Sequence, residues 1–132
     1  MEAIRKAEQR TSGEVRLFVE SKCSYVDALE RAKEIFLQLK MERTEQRNAT
    51  LIYLAMDDHQ VAVLGDEGIH QKVGADYWKK EVEKMVGQFR AEHLVDGICM
   101  AIADLGEALH YHFPYDSATD KNELPDDIVF GH

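Results

Sequence analysis

The sequence predicts one α/β domain, an α/β/α sandwich with helices on both faces of a small mixed sheet, and three observations lead there. First, a strand-like run, a helical run and a second strand-like run follow one another between Val15 and Ala55, the order of a βαβ unit, whose crossover is right-handed and parallel. Second, Thr50-Leu51-Ile52-Tyr53-Leu54-Ala55 is apolar on consecutive residues, as in a central strand covered on both faces. Third, Val61-Ala62-Val63-Leu64 follows after only the turn-like Asp57-Asp58-His59-Gln60, so it returns as an antiparallel hairpin partner. The expected strands are 15–20, 49–56 and 60–65 in the order 1-2-3, with the third at an edge.

Each element has its own local cause. Glu2 to Glu8 reads as helix, and Thr11-Ser12-Gly13 breaks it. Val15 to Glu20 carries high strand propensity. Ser24 with Asp27 three residues on resembles a capping box, and Ala28, Leu29, Ala32, Ile35, Phe36 and Leu39 recur at helical spacing. Gly65-Asp66-Glu67-Gly68 reads as an acidic loop in which glycines let the backbone turn tightly. Trp78, Val82, Met85, Val86 and Phe89 form one helical stripe, and Leu94, Ile98, Ala101, Ile102, Leu105 and Leu109 form another that Pro114 stops. The tail is polar and acidic except for Leu124 and Ile128-Val129-Phe130, an apolar triplet expected to fold back onto the domain. Residues 1–132 are thus expected to form one domain, with 114–132 as a C-terminal extension packed on it.

Composition excludes several functions. With 25 acidic against 16 basic residues the formal charge is -9, which repels nucleic acid and suits cations or basic partners. Cys23 and Cys99 sit in no metal-spaced pair and are expected to be free thiols. There is no apolar run of about 18 residues and no apolar N-terminal leader, so the sequence reads as that of a soluble, cytoplasmic monomer without a direct membrane span. A P-loop, a G-x-S-x-G elbow and a cysteine-phosphatase loop are all missing. The separation of His110 and His112 puts them on different faces of a helix, which does not suit zinc.

With strands one and two parallel, topology decides which polar residues meet. Glu14, Asn48 and the Asp66 loop share one edge; Asp57 and Asp58 share the other with Glu20 and Ser21. Glu14 and Asp66 are the natural pair for a hard divalent cation, Ca2+ or Mg2+, with Glu67, Thr44 and Asn48 as supplementary oxygen ligands. Arg47 either holds an anion or pairs with Asp66 or Glu14, and pairing is the default. Trp78, inside a regular apolar stripe, is expected to pack in the core.

The segments Thr11 to Arg16, Arg47 to Ala55, Gly65 to Ile69, His112-Phe113-Pro114 and Asn122 to Asp126 together resemble the small bacterial branch of the TPM-domain family. That family includes thylakoid acid phosphatase and photosystem II repair proteins. The resemblance implies an α/β/α sandwich with a mixed sheet, divalent-cation binding, a metal-dependent acid phosphatase activity, and membrane-associated partners of the LemA type. The secretion signal and C-terminal membrane helix of larger members have no counterpart in this sequence. A rival expectation is a non-catalytic module that docks a basic or membrane-associated partner.

Overall fold

The computed structural model of the chain describes residues 4, 5, 8, 11–23, 27–90, 93–114 and 128–130. Strand β1 (Glu14–Glu20) leads through helix α1 (Ala28–Gln38) and a single 3-10 turn, Met41–Arg43, to strand β2 (Ala49–Ala55) and its hairpin partner β3 (Gln60–Gly65). Helices α2 (Glu67–Val73), α3 (Ala75–Arg90) and α4 (Leu94–His112) follow, and strand β4 (Ile128–Phe130) closes the order. The sheet has four strands in the order β3-β2-β1-β4. β1 and β2 are parallel, with Glu14 opposite Ala49 and Glu20 opposite Ala55, while β3 runs antiparallel with Gly65 opposite Thr50. The expected βαβ unit and hairpin are therefore present in the expected order, and β4 extends the sheet alongside β1, with Val129 opposite Phe18.

The alternation of strand side chains divides the interior into two cores. Val15, Leu17, Ile52, Leu54, Val61 and Val63 face α2, α3 and α4, meeting Ile69, Trp78, Met85, Ile102, Leu105 and Leu109. Phe18, Leu51, Tyr53 and Ala62 face the other way onto Ala32, Ile35 and Phe36 of α1 and Met41 of the turn. Every residue of β2 is buried, as a strand with no wet side requires. Leu29 departs from its expected stripe: it is 36% exposed.

Two local expectations change. Asp27 is itself the N-cap of α1, its carboxylate accepting the Leu29 N–H, so the cap lies three residues later than Ser24, which falls outside the described residues. The segment read as an acidic loop is a strand end followed by a helix start: Gly65 ends β3, Asp66 is the N-cap of α2, and Gly68 is already helical. The glycines are needed for close approach rather than for turning. A Cβ on Gly65 would lie 2.2 Å from the Trp78 ring, and one on Gly68 would lie 2.0 Å from the Gln46 carbonyl oxygen. Leu124 and the rest of the 115–127 segment lie outside the described residues.

The edge where β1 and β2 begin is tied to the end of α4. Thr11 Oγ1 donates to the carbonyl oxygens of Leu109 and Phe113, Ser12 N–H donates to Phe113 O at 2.9 Å, and the Gly13 backbone packs against Leu109. Glu8 accepts the Val15 N–H at 3.0 Å. At the opposite edge, the backbone N–H groups of Met56 and Asp57 donate to Glu20 O and Ser21 O, and Asp58 accepts the Cys23 N–H at 2.7 Å, which brings together the residues expected to share that edge.

Candidate functional site

The structure offers two places to look for function on the β2–β3 side of the molecule: the acidic edge that the sequence singled out, and a cleft along β3 that it did not.

At the first, the chain brings Glu14, Thr44, Asn48 and Asp66 to the same end of the sheet, all buried. Asp66 N–H donates to Ala49 O, the residue paired with Glu14, so the expected neighbourhood holds at the level of the backbone. The side chains have other business. Arg47 grips the Asp66 carboxylate through both oxygens, Nε to Oδ2 at 2.7 Å and Nη2 to Oδ1 at 2.9 Å, and Oδ1 also accepts the Glu67 N–H at 2.7 Å. This is the bidentate fork geometry that carboxylates bind most strongly. Arg47 reaches it from a left-handed backbone conformation, φ 52°, which a non-glycine residue adopts at a cost that the surrounding contacts must offset. Glu67 is exposed and lies 3.7 Å from the same guanidinium. Thr44 Oγ1 accepts the Asn48 N–H at 3.2 Å, and Asn48 Nδ2 donates to Ser12 Oγ. Asn48 Oδ1, in contrast, is buried and has no hydrogen-bond partner. The pairing of Arg47 with Asp66, the default expectation, is thus what the structure holds. As a ligand set for a hard cation these residues fit poorly, because Asp66 already has its counter-charge; the unsatisfied Asn48 Oδ1 is the exception, an oxygen that a cation would serve. Among the described residues, no three His, Cys, Asp or Glu side chains gather as a metal ion would need.

The second place is a cleft of about 860 Å3 that runs along the outer edge of β3. Its floor includes the consecutive residues Val61, Ala62, Val63, Leu64 and Gly65. Side chains alternate between the faces of a strand, so what consecutive residues have in common is the backbone edge. Among the described residues that edge faces no further strand, because β3 ends the sheet order. One wall comes from α1, with Leu29 and Lys33; the other comes from α3, with Trp78, Lys79, Val82 and Glu83. Trp78 packs in the core as expected, 9% exposed, but it also forms part of this wall. Its Nε1–H donates to His70 Nδ1 at 2.9 Å, which fixes His70 as the tautomer with a bare Nδ1, and Tyr77 meets its ring edge-on at 5.1 Å.

Sequence reasoning passed over this cleft because Leu29 and Trp78 both sit at regular core spacing. A signal was there. Val61 to Leu64 contains no lysine, proline or inward charge of the kind that blunts an edge strand, although the sequence places it at the edge.

Comparison with known proteins agrees with this architecture. No curated protein matches the chain. The NMR structure of the BA42 protein from the psychrophilic bacterium Bizionia argentinensis superposes with a TM-score of 0.86 at 37% identity, over 98% of this chain and 88% of that one. A sequence model described as the TPM domain matches residues 1–108. The motif segments, the sandwich with its mixed sheet, and these two matches agree, and the chain belongs to the TPM-domain family.

Proposed function

We propose that this TPM domain is an interaction module whose edge strand β3 takes up an extended, basic segment of a partner chain. The observation that carries the reading is the cleft itself: a strand edge recessed between two helical walls. Backbone N–H and C=O groups along an open strand edge are met at matching spacing by another strand, the mode known as β-augmentation. Leu29, Trp78 and Val82 supply apolar walls for alternate side chains of the guest. The formal charge of -9 favours a guest rich in Lys and Arg. A second copy of this chain is a poor guest, because its own β3 is equally recessed and two recessed edges do not meet. A basic segment of a membrane-associated partner, the class implied by the family resemblance, meets these requirements; no helix among the described residues is long and apolar enough to cross a membrane.

The experiment is an NMR titration with a synthetic peptide of alternating valine and threonine flanked by lysines. The expected result is saturable amide shifts confined to β3 and the facing turns of α1 and α3, with slowed exchange of β3 amides. Leu29→Asp, a change on the exposed rim, should abolish them. Shifts spread evenly over the surface, no shifts at all, or concentration-dependent dimerisation through β3 would each defeat the proposal.

A second reading has one observation in its favour. The orphaned Asn48 Oδ1 beside Glu14 would be satisfied by a divalent cation at that edge, with Thr44, Asp66 and Glu67 as further oxygen donors once Arg47 moved aside. The metal-dependent phosphatase activity implied by the family resemblance would depend on this reading. Millimolar Ca2+ or Mg2+ should then raise the melting temperature by mass action, and Arg47→Gln should strengthen the response. An unchanged melting temperature in both proteins rejects it.

A further inference from the structure

On the far side of α3 from β3 lies a second cleft, of about 450 Å3, between α3 and α4. Its deepest charged group is Glu81, on α3 and only 3% exposed. One carboxylate oxygen, Oε1, lies 3.4 Å from Lys84 Nζ; the other, Oε2, is buried with no hydrogen-bond donor. Asp104 of α4 stands across from it and also meets Lys84 Nζ, at 3.1 Å. Two carboxylates therefore share one flexible, half-exposed ammonium, and one oxygen remains unserved.

A buried carboxylate oxygen without a donor is costly, so the ionised form of Glu81 calls for a donor from outside. The other groups around the cleft restrict what that donor is. Glu107 adds negative charge, and Tyr77 and Tyr111 contribute aromatic rings. A metal ion finds too few oxygen ligands here, since Lys84 occupies the side where it would sit. Lys84 itself shows which chemistry the two carboxylates accept: an alkyl ammonium. A cationic ligand among aromatic rings gains further from their quadrupoles.

We propose that the Glu81–Asp104 cleft is a binding site for a small organic molecule carrying a primary ammonium group, which donates to Glu81 Oε2 and lies between the tyrosine rings. The site is distinct from the β3 edge and does not depend on the docking function assigned there.

The ligand and a proton compete for the same oxygen. Burial first, and then a hydrogen bond shared with Asp104 and the Asp104 charge, push the Glu81 carboxyl up to about 7, so in the empty site a proton held between the two carboxyl groups takes the ligand's place. The charged and titratable groups that line the cleft with Glu81 are Tyr77 and Lys84 on its own helix and Asp104, Glu107, Tyr111 and His112 from α4.

The probe is 1,4-diaminobutane, followed residue by residue by NMR at constant ionic strength. The expected result is saturable shifts centred on Tyr77, Glu81, Asp104 and Tyr111, about tenfold tighter at pH 8 than at pH 6 because ionisation of a group near 7 controls binding. The neutral 1,4-butanediol should produce none. Glu81→Gln should lose binding, and Lys84→Met, which removes the competing ammonium from a half-exposed position, should bind several-fold more tightly. Diffuse attraction to the acidic surface would instead shift amides over the whole molecule and leave Glu81→Gln responding as wild type. That result, or no saturable shift at pH 8 in both wild type and Lys84→Met, overturns the proposal.

Discussion

Glu20 and Glu81 are two glutamates buried to nearly the same depth, at 4% and 3% exposure, and the protein treats them in opposite ways. Glu20 ends β1 against α1. Arg31 donates to both of its oxygens at 3.0 Å, and the Tyr53 hydroxyl donates to Oε2 as well. Arg31 lowers the Glu20 carboxyl below its ordinary range, and burial together with Glu20 raises the Tyr53 hydroxyl. Glu81, on the other face of the sheet, has a carboxylate as its neighbour and only a loosely held lysine as counter-charge, and its carboxyl rises. Depth of burial alone therefore does not decide the state of a carboxylate; the neighbouring donors do. A sealed pair such as Glu20–Arg31 joins β1 to α1, whereas an unsealed carboxylate is open to a proton or a ligand.

The largest expected effect falls on the sealed side. Glu20→Ala removes the partner of Arg31 and of the Tyr53 hydroxyl together, and should cost about 3–5 kcal/mol in denaturant melts, as breaking a buried ion pair does. A cost near zero would erase the distinction between the two sites.

The second test uses pH, and the two glutamates carry opposite signs. The lowered Glu20 carboxyl contributes stability that is present above the unfolded carboxylate range and is lost as the solution is acidified. The raised Glu81 carboxyl binds a proton more readily in the folded chain than in the unfolded one. Its contribution is complete below the unfolded value of 4.5 and is lost as pH rises through about 7. Glu81→Gln should accordingly flatten the decline in melting temperature between pH 5 and 8, a difference of roughly 1–3 kcal/mol. An alkaline limb identical in wild type and variant would place Glu81 among ordinary surface carboxylates.

Smaller effects are expected at the Asp66 edge, which is a third arrangement: a buried carboxylate paired with an arginine that is itself 45% exposed. Asp66→Asn keeps a competent N-cap for α2 but weakens the Arg47 fork, so it should cost about 0.5–1 kcal/mol by thermal melting. A cost as large as that of Glu20→Ala would show that exposure of the arginine does not matter. Smallest of all, Glu67→Ala should stay within roughly 0.5 kcal/mol, since its carboxylate is 63% exposed and only 3.7 Å from a guanidinium already engaged.

The backbone architecture was legible from sequence because local pattern and burial coincide in it. The unbroken apolar run of β2 could only be a strand covered on both faces, and the short turn between Ala55 and Gln60 left the hairpin little freedom. The placement of Glu14, Asn48 and Asp66 at one end of the sheet followed from topology alone. What these side chains do there did not follow. Gly65-Asp66-Glu67-Gly68 has loop composition, yet Asp66 caps a helix and the glycines clear space for Trp78 and the Gln46 carbonyl, contacts set by chain segments remote in sequence.

Sequence by itself determined the mixed sheet, its strand order through β3, the two helical layers and the acidic character of the surface, because periodicity, turn residues and charge are properties of neighbouring residues. Tertiary structure alone decided that the pairing of Arg47 is a two-point grip on Asp66, that the edge of β3 is walled by α1 and α3, and that Glu81 meets Asp104 rather than a full counter-charge. Glu81 and Asp104 are more than twenty residues apart on different helices, and nothing in their local pattern separates them from solvated charges on a helix face. The packing of α3 against α4 brings them together, and the electrostatics of a buried carboxylate depends on groups within a few ångströms, whatever their distance along the chain.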